Sequence, residues 1–446
     1  MKFKKMIKTL LGAALIVSST AQAETGNSLL QFYRSALIYD ARFNAAIAKQ
    51  EAGHEQIPLA RAQLLPDISL TANIGYIDQE TNYSASGPFN SGQRDINSDA
   101  IGAKLIQPLY HKEHLEAFSQ AKIAVRQADT QFAIAKQQLI LDVSSRYFNV
   151  LLAQEGLKLA EAEKAANKEQ LVSAKRSFEV GSATITDTHE AQARFDLSLS
   201  EEIDARKRLQ IARRKLAKLT GIAPQILFIS QRKRPLSLLQ PATMEKWTES
   251  AAMDNFNVRL AQESLEIASH EIERNRGQAF PKLDLVVSYD DSSADDSSFG
   301  TGIDTTETRI MLEAKVPLYS GGSVFAKLRQ NRAELRSAQL LLEATRRDAK
   351  LEAEEAFLAH ESGNHRIKAL QQALLSSKQS LASTQRGFEL GLRTGIDVLD
   401  AQRQLYAAKQ KLAEAHYGYL FDRLRLEAAV GKLDEEDIAE IDRLLR

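Results

Sequence analysis

The sequence contains no cysteine. Disulfides, thiolate chemistry, cysteine-ligated zinc and a lipid anchor on an N-terminal cysteine are therefore excluded. The sequence also lacks a net charge, because 58 basic residues balance 58 acidic ones. Nucleic-acid-binding proteins carry a basic surface, so no nucleic-acid partner is expected. Beyond the N-terminal segment, no stretch approaches the roughly 18 to 20 continuous apolar residues that a membrane helix requires.

The first 23 residues have the features of a secretory signal. Four lysines precede a short apolar segment, residues 10–17, which is followed by the small-x-small pattern Ala21-Gln22-Ala23. Signal peptidase cleaves after such a pattern. We therefore predict that residues 1–23 are a signal peptide, that cleavage occurs near Ala23/Glu24, and that the mature chain is exported. An uncleaved anchor is the alternative.

The rest of the chain contains an internal two-fold repeat. Phe178-Glu179-Val180-Gly181 recurs as Phe388-Glu389-Leu390-Gly391, a shift of 388 − 178 = 210 residues, and Pro108-Leu109-Tyr110 recurs as Pro317-Leu318-Tyr319. A repeat of this length indicates a duplicated half-protein rather than a solenoid unit. The predicted units are a first repeat at 24–221, a linker at 222–241, a second repeat at 242–431 and a C-terminal tail at 432–446.

Proline is absent between Pro108 and Pro224 and after Pro317. Because proline is costly inside a helix, these two gaps permit long helices. Both are rich in Ala, Gln, Glu, Lys and Leu, and they predict helices of about 65 to 70 residues, or about 100 Å at 1.5 Å per residue. Gly181 and Gly391 are the expected C-caps.

Each repeat is predicted to contain a first helix, a β-hairpin, the long helix and a returning helix. In the first repeat these are 28–62, kinked or broken at Pro58, then 67–108, 111–180 and 184–220. In the second repeat they are 242–278, 282–317, 322–390 and 394–430. The fold class is therefore mainly α with a small β part, and the alanine-rich helix faces favour closely packed, coiled-coil-like walls.

The hairpin segments alternate strictly between apolar and polar residues. Ile68, Leu70 and Ile74 point to one side of the first strand, whereas Ser69 and Asn73 point to the other. Four such strands cannot close a barrel, and an open sheet edge is not tolerated in lipid. Two copies would give eight strands, which side chains would plug, and three copies would give twelve. We therefore predict a trimer that shares one twelve-stranded outer-membrane β-barrel.

Catalytic and cofactor patterns are missing from the sequence. It has no Gly-x-Ser-x-Gly elbow, His-Glu-x-x-His motif or phosphate loop, so we expect no catalytic residue, no cofactor and no enzymatic activity. His111 and His114 flank Glu113 and could in principle hold a metal. Because a pair of exposed histidines is far more common than a metal site, no metal is predicted.

Several motifs carry a resemblance to a known family. They are the duplicated Phe-Glu-x-Gly turns, Pro-Leu-Tyr-Ser-Gly-Gly at 317–322, Tyr-Phe-Asn-Val-Leu at 147–151, and Gly-x-Arg-Thr-x-Ile-Asp-Val-Leu-Asp at 391–400. In these motifs the chain resembles the TolC family of outer-membrane channel-tunnels, over essentially the whole mature sequence. The resemblance implies a homotrimer in the outer membrane, an α-barrel tunnel of helices that reaches into the periplasm, and an equatorial region formed by 222–241 and 432–446. It also implies a periplasmic adaptor that docks at the turns around Gly181 and Gly391.

The same resemblance assigns roles to single residues. Asp397 and Asp400 match the acidic rings of the periplasmic constriction, and Arg393 with Asp187 and Thr186 matches the network that holds the inner coils shut. The family's best-known member has a tyrosine where this chain has Phe388. One closing hydrogen bond to Asp187 is therefore missing, and closure is expected to depend more on Arg393.

Helix capping is an alternative role for two of these residues. Thr184-x-x-Asp187 and Thr394-x-x-Asp397 are also capping-box patterns. Asp400 has no capping position, because it lies one turn after Asp397 on the same helix face. Three chains would bring six carboxylates together, which predicts a constriction that attracts cations.

Two transport functions and one structural function remain open. The first is the outer-membrane duct of type I protein secretion, working with an adaptor and an inner-membrane ABC transporter. The second is small-molecule efflux with a proton-driven pump. The missing lipid-anchor cysteine favours the first. A periplasmic coiled-coil rod without a pore is the third, and it would leave the four alternating strands unexplained.

Overall fold

A computed structural model describes residues 28–82, 92–224, 227, 241, 243–297 and 301–445 of the 446-residue chain. Among these residues the chain forms ten helices and four strands. The helices are α1 (Leu29–Tyr39), α2 (Ala41–His54), α3 (Gln56–Ala62), α4 (Lys112–Glu179), α5 (Ile185–Thr220), α6 (Met244–Asp254), α7 (Phe256–Gly277), α8 (Ser323–Glu389), α9 (Gly395–Ala429) and α10 (Glu435–Leu445). The strands are β1 (Asp67–Thr81), β2 (Gly92–Tyr110), β3 (Lys282–Ala294) and β4 (Ile303–Lys315). The predicted signal peptide and most of the linker lie outside the described residues.

The four strands form one antiparallel sheet in the order β1-β2-β3-β4. The ladder between β2 and β3 joins the two repeats, so the hairpins make a single sheet. Directly paired residues share a face of a sheet. One apolar row crosses all four strands and consists of Ile68, Leu105, Val287 and Ile310. The adjacent row, on the other face, is polar and consists of Ser69, Lys104, Ser288 and Arg309.

Two very long helices lead away from this sheet. Helix α4 has 68 residues and α8 has 67, which corresponds to about 100 Å each at 1.5 Å per residue. Helices α5 and α9 return alongside them, and α4 also packs against α9. Within the described residues, no helix is both long and apolar enough to cross a membrane.

The first helix of each repeat is divided into shorter helices. The kink or break predicted at Pro58 lies three residues earlier, at Glu55 between α2 and α3, which puts Pro58 in the first turn of α3, where a helix does not use the backbone N–H that proline lacks. A further break lies at Asp40, whose carboxylate accepts a 2.8 Å hydrogen bond from the Phe43 N–H and caps α2. In the second repeat Asn255 similarly separates α6 from α7.

The main hydrophobic core lies around the middle of the long helices. It contains Tyr33, Val143, Leu216 and Leu424, all of which are fully buried. The C-terminal segment forms α10, which packs against α1, and the Asp442 carboxylate accepts a 2.9 Å hydrogen bond from the Leu29 N–H. The two chain ends of the described structure therefore close the same core.

Candidate functional site

The long helices end in two turns with the same backbone geometry. In the first, the N–H of Gly181 donates to the Phe178 carbonyl at 3.0 Å, and in the second the N–H of Gly391 donates to the Phe388 carbonyl at 3.0 Å. Both glycines have φ of +75°, a left-handed conformation in which a side chain is strained. The repeated Phe-Glu-x-Gly motif therefore encodes one turn structure twice.

Each turn leads into a helix that starts with a complete capping box. The Asp187 carboxylate accepts from the Thr184 N–H at 2.8 Å, and the Asp397 carboxylate accepts from the Thr394 N–H at 2.8 Å. These backbone hydrogen bonds hold the pKa of both aspartates below the usual value, and the threonine hydroxyls add to the effect. Both carboxylates are therefore ionised at neutral pH, and both have the capping role that the sequence pattern indicates.

Arg393 lies against its own turn. Its side chain packs over Gly387, where an added Cβ would lie 2.8 Å from Arg393 Cγ. One guanidinium nitrogen is 4.0 Å from Asp397 Oδ1. Thr186 is exposed, and no contact described within this chain joins Arg393 to Asp187 or Thr186. The gate network predicted from the resemblance therefore stays a prediction.

Asp400 has a partner that the sequence does not reveal. Arg194, on α5 of the first repeat, lies 2.9 Å from the Asp400 carboxylate on α9. Near the same end, Gln170 of α4 lies close to Gly395, the first residue of α9. These contacts place the two turns side by side at the end of the molecule that is remote from the sheet.

Apolar side chains project from both turns. Val180 is 78% exposed and Leu390 is 74% exposed, and Leu392 behind Gly391 is 77% exposed. Phe388 differs, because its ring packs near Gly395 at the start of α9. Exposed aliphatic residues at the tip of a helical pair are suited to contact another protein. Sequence reasoning missed them, although each variable position of the Phe-Glu-x-Gly motif is aliphatic.

Replacement of Gly391 by alanine is expected to loosen its turn. A left-handed alanine costs about 1 to 2 kcal/mol, so hydrogen exchange of the peptide around Gly391 should become about five- to thirty-fold faster. Gly156→Ala is the control, because Gly156 lies inside α4 with open space around it and alanine favours a helix there. Equal exchange in Gly391→Ala and the unaltered protein would contradict the assigned strain.

The comparison with known proteins decides the family. The model of the outer membrane efflux protein family matches residues 32–222 and 247–432. The chain belongs to this family. It is 33% identical to the outer membrane protein TolC of Vibrio cholerae over 98% of both chains. It is 32% identical to the alkaline protease secretion protein AprF of Pseudomonas aeruginosa, over 98% of this chain and 91% of that one.

The fold agrees with this assignment. The crystal structure of the Campylobacter jejuni CmeC outer membrane channel matches with a TM-score of 0.78 at 16% identity, over 95% of this chain and 90% of that one. The predicted fold class is confirmed, and the protein is an outer-membrane efflux protein that extends into the periplasm. Relatives in this family are channel proteins, which supports a transport role rather than an enzymatic one.

Proposed function

We propose that three copies form the outer-membrane exit duct of a tripartite export machine, most specifically one for type I protein secretion. In this proposal the three sheets close into one twelve-stranded barrel and the long helices form the tunnel beneath it. Cargo would enter the duct from an inner-membrane ABC transporter and its periplasmic adaptor, and would pass through it passively and chemically unchanged. The apolar row across the sheet carries the membrane part of this proposal, because it gives each copy one face suited to lipid and one suited to water.

Two observations favour protein secretion among the transport functions. The similar protein AprF is named for alkaline protease secretion, and the chain has no cysteine on which a lipid anchor could be placed. Small-molecule efflux with a proton-driven pump is the second candidate, favoured by the efflux description of the family itself. A rod without a pore has no such support, because the paired strands would serve no purpose in it.

The proposed site lies at the paired turns. Gly181 and Gly391 set the backbone there, and the exposed Val180 and Leu390 offer the adaptor an apolar surface. Asp397 and Asp400 are proposed to line the constriction, with Arg393, Asp187 and Thr186 holding it closed between neighbouring copies. Because Phe388 offers no hydroxyl, Arg393 is proposed to carry more of the closure.

In vivo photo-crosslinking tests this function. A photoreactive residue at Val180 or Leu390 is expected to capture the adaptor of an ABC transporter. The control is the same residue at Leu318, which is 93% exposed but lies at the sheet end of the molecule. Capture of a proton-pump adaptor would favour small-molecule efflux instead. Capture of no adaptor, with protein that washes out of membranes, would contradict the duct.

A further inference from the structure

Four elements meet tightly where the sheet joins the tunnel helices. Strand β2 ends at Tyr110 and α4 begins at Lys112, while α7 ends at Gly277 beside the start of β3. At Gly277 an added Cβ would lie only 2.8 Å from the Glu113 backbone nitrogen, so this approach requires glycine. The first turn of α4 is therefore enclosed by the other elements.

His111, Glu113 and His114 lie together in this junction. Each offers a potential ligand atom within 4.8 Å of the other two, and the two imidazole rings are 4.6 Å apart between centroids. The expectation of an exposed histidine pair is wrong. The His111 side chain is only 11% exposed to solvent and the His114 side chain 25%, because the junction covers them.

An acidic partner fixes the orientation of His111. Its Nε2 lies 2.9 Å from the Asp284 carboxylate of β3, so the carboxylate accepts a hydrogen from Nε2 and the lone pair is left on Nδ1. A carboxylate behind the far nitrogen is the usual arrangement of a histidine that binds a metal. The residue that would act as this outer partner comes from the other repeat, 173 positions along the chain.

One ring nitrogen of each histidine lacks a hydrogen-bond partner. Nδ1 of His111 and Nδ1 of His114 are buried and have no hydrogen-bond partner among the described residues. A buried polar atom without a partner costs about 1 to 3 kcal/mol. An ion held between the two rings would supply the partner that both nitrogens lack.

Glu113 supplies an anionic ligand that is partly engaged. Its Oε1 accepts a hydrogen bond from the Lys282 ammonium, which leaves Oε2 available. Two ligands on one zinc ion can be at most about 4 Å apart, slightly less than the 4.8 Å limit that encloses the three donor atoms. Closure on an ion would need only small side-chain rotations within the first turn of α4.

We propose that His111, Glu113 and His114 form a binding site for a divalent transition-metal ion of the zinc class, with Asp284 as the outer partner of His111. Two imidazoles and one carboxylate are a ligand set that such ions accept. The ion would tie the start of α4 to β3 and thereby fasten the sheet to the tunnel. This metal site does not depend on which cargo the protein exports or on which pump it works with.

Zinc titration of the purified, tag-free, full-length protein tests the site. We expect one zinc ion per chain in calorimetric titration after chelator treatment. Affinity is expected to fall at least tenfold in His111→Ala and in His114→Ala, and about tenfold in Asp284→Asn. The matched control is His54→Ala, because His54 is also paired with a carboxylate, Asp129 at 2.8 Å, but is exposed. It should leave binding unchanged.

A spectroscopic measurement on the unaltered protein covers the case in which a variant fails to fold. Cobalt(II) in place of zinc should give the visible absorption of a low-coordinate nitrogen and oxygen site, and zinc should remove it. The proposal is overturned by the absence of both binding and absorption, by zinc affinity in both histidine variants that equals that of the unaltered protein, or by a loss of affinity in His54→Ala as large as in the histidine variants. The last two results would mean adventitious binding at the surface.

Discussion

Replacement of Val180 and Leu390 together by aspartate is expected to reduce export at least tenfold while trimers still reach the outer membrane. Both side chains project into solvent from the turns. Burial of an aliphatic side chain of this size contributes about 1.5 to 3 kcal/mol, and each 1.4 kcal/mol corresponds to tenfold in affinity. Aspartate would remove that contribution and add a charge that the interface must desolvate.

The measurement is the amount of cargo outside the cell relative to the amount of protein in the outer membrane. Val180→Ile with Leu390→Ile is the matched control, because it keeps the surface apolar and should keep export. Both side chains are largely exposed and contribute little to the core, so the fold is expected to survive in both variants. Undiminished export in the aspartate variant would exclude these turns as the docking surface.

Neutralisation of Asp397 and Asp400 by asparagine is expected to weaken block of the channel by divalent cations at least tenfold. Three copies would gather six carboxylates, and a cation between them is held by their summed charge. Asp400 is paired with Arg194 at 2.9 Å, but an exposed ion pair is worth only about 0.2 to 1 kcal/mol. Its loss should therefore leave the fold intact, and single-channel conductance in planar bilayers can report the block.

The cap of α9 supplies the control for this experiment. The Thr394 hydroxyl donates to the Asp397 carboxylate at 2.9 Å and accepts from the Asp397 N–H at 3.3 Å, so Thr394→Ala weakens the same helix start and keeps both carboxylates. Block should be unchanged in that variant. An equal loss of block in Thr394→Ala would assign the effect to the cap rather than to the charge at the constriction.

Acid should weaken the start of α9 only at low pH. The pKa of Asp397 is lowered, first because of the backbone hydrogen bond of Thr394. A lowered pKa means that the capping contribution to stability is present above the value of the unfolded chain and is lost as the pH falls through the lower folded value. Hydrogen exchange of the peptide at the start of α9, corrected for the intrinsic effect of pH, should therefore stay slow until the pH falls below the usual range of an aspartate, and faster exchange already at mildly acidic pH would contradict the assigned cap.

The long elements could be predicted from the sequence because their signals are continuous. Two proline-free stretches give the long helices, and strict alternation gives the strands. The breaks at Asp40 and Asn255 escaped prediction, because a cap is set by one side-chain hydrogen bond in a sequence with many similar residues. Pro58 marked a real break and missed its position by three residues, since a proline is tolerated in the first turn of a helix and the break at Glu55 therefore precedes it.

The parts of the site that escaped prediction are contacts between the repeats. Arg194 and Asp400 are 400 − 194 = 206 residues apart, and His111 and Asp284 are 173 apart. No local pattern encodes such pairs, because they depend on how α5 meets α9 and on how β2 meets β3. The capping boxes, which are encoded within four residues, were the part of the site that the sequence pattern already indicated.

The order of the sheet has a consequence for how the protein is made. Strands β1 and β4 are the outer strands, so within the described sheet each leaves one side without a partner strand. Such an edge binds other strands indiscriminately and cannot enter lipid alone. Encounter between newly exported copies should therefore precede or accompany their insertion. The yield of mature channels should then rise more steeply than linearly with the rate of synthesis, and solitary copies should be substrates for periplasmic chaperones and proteases.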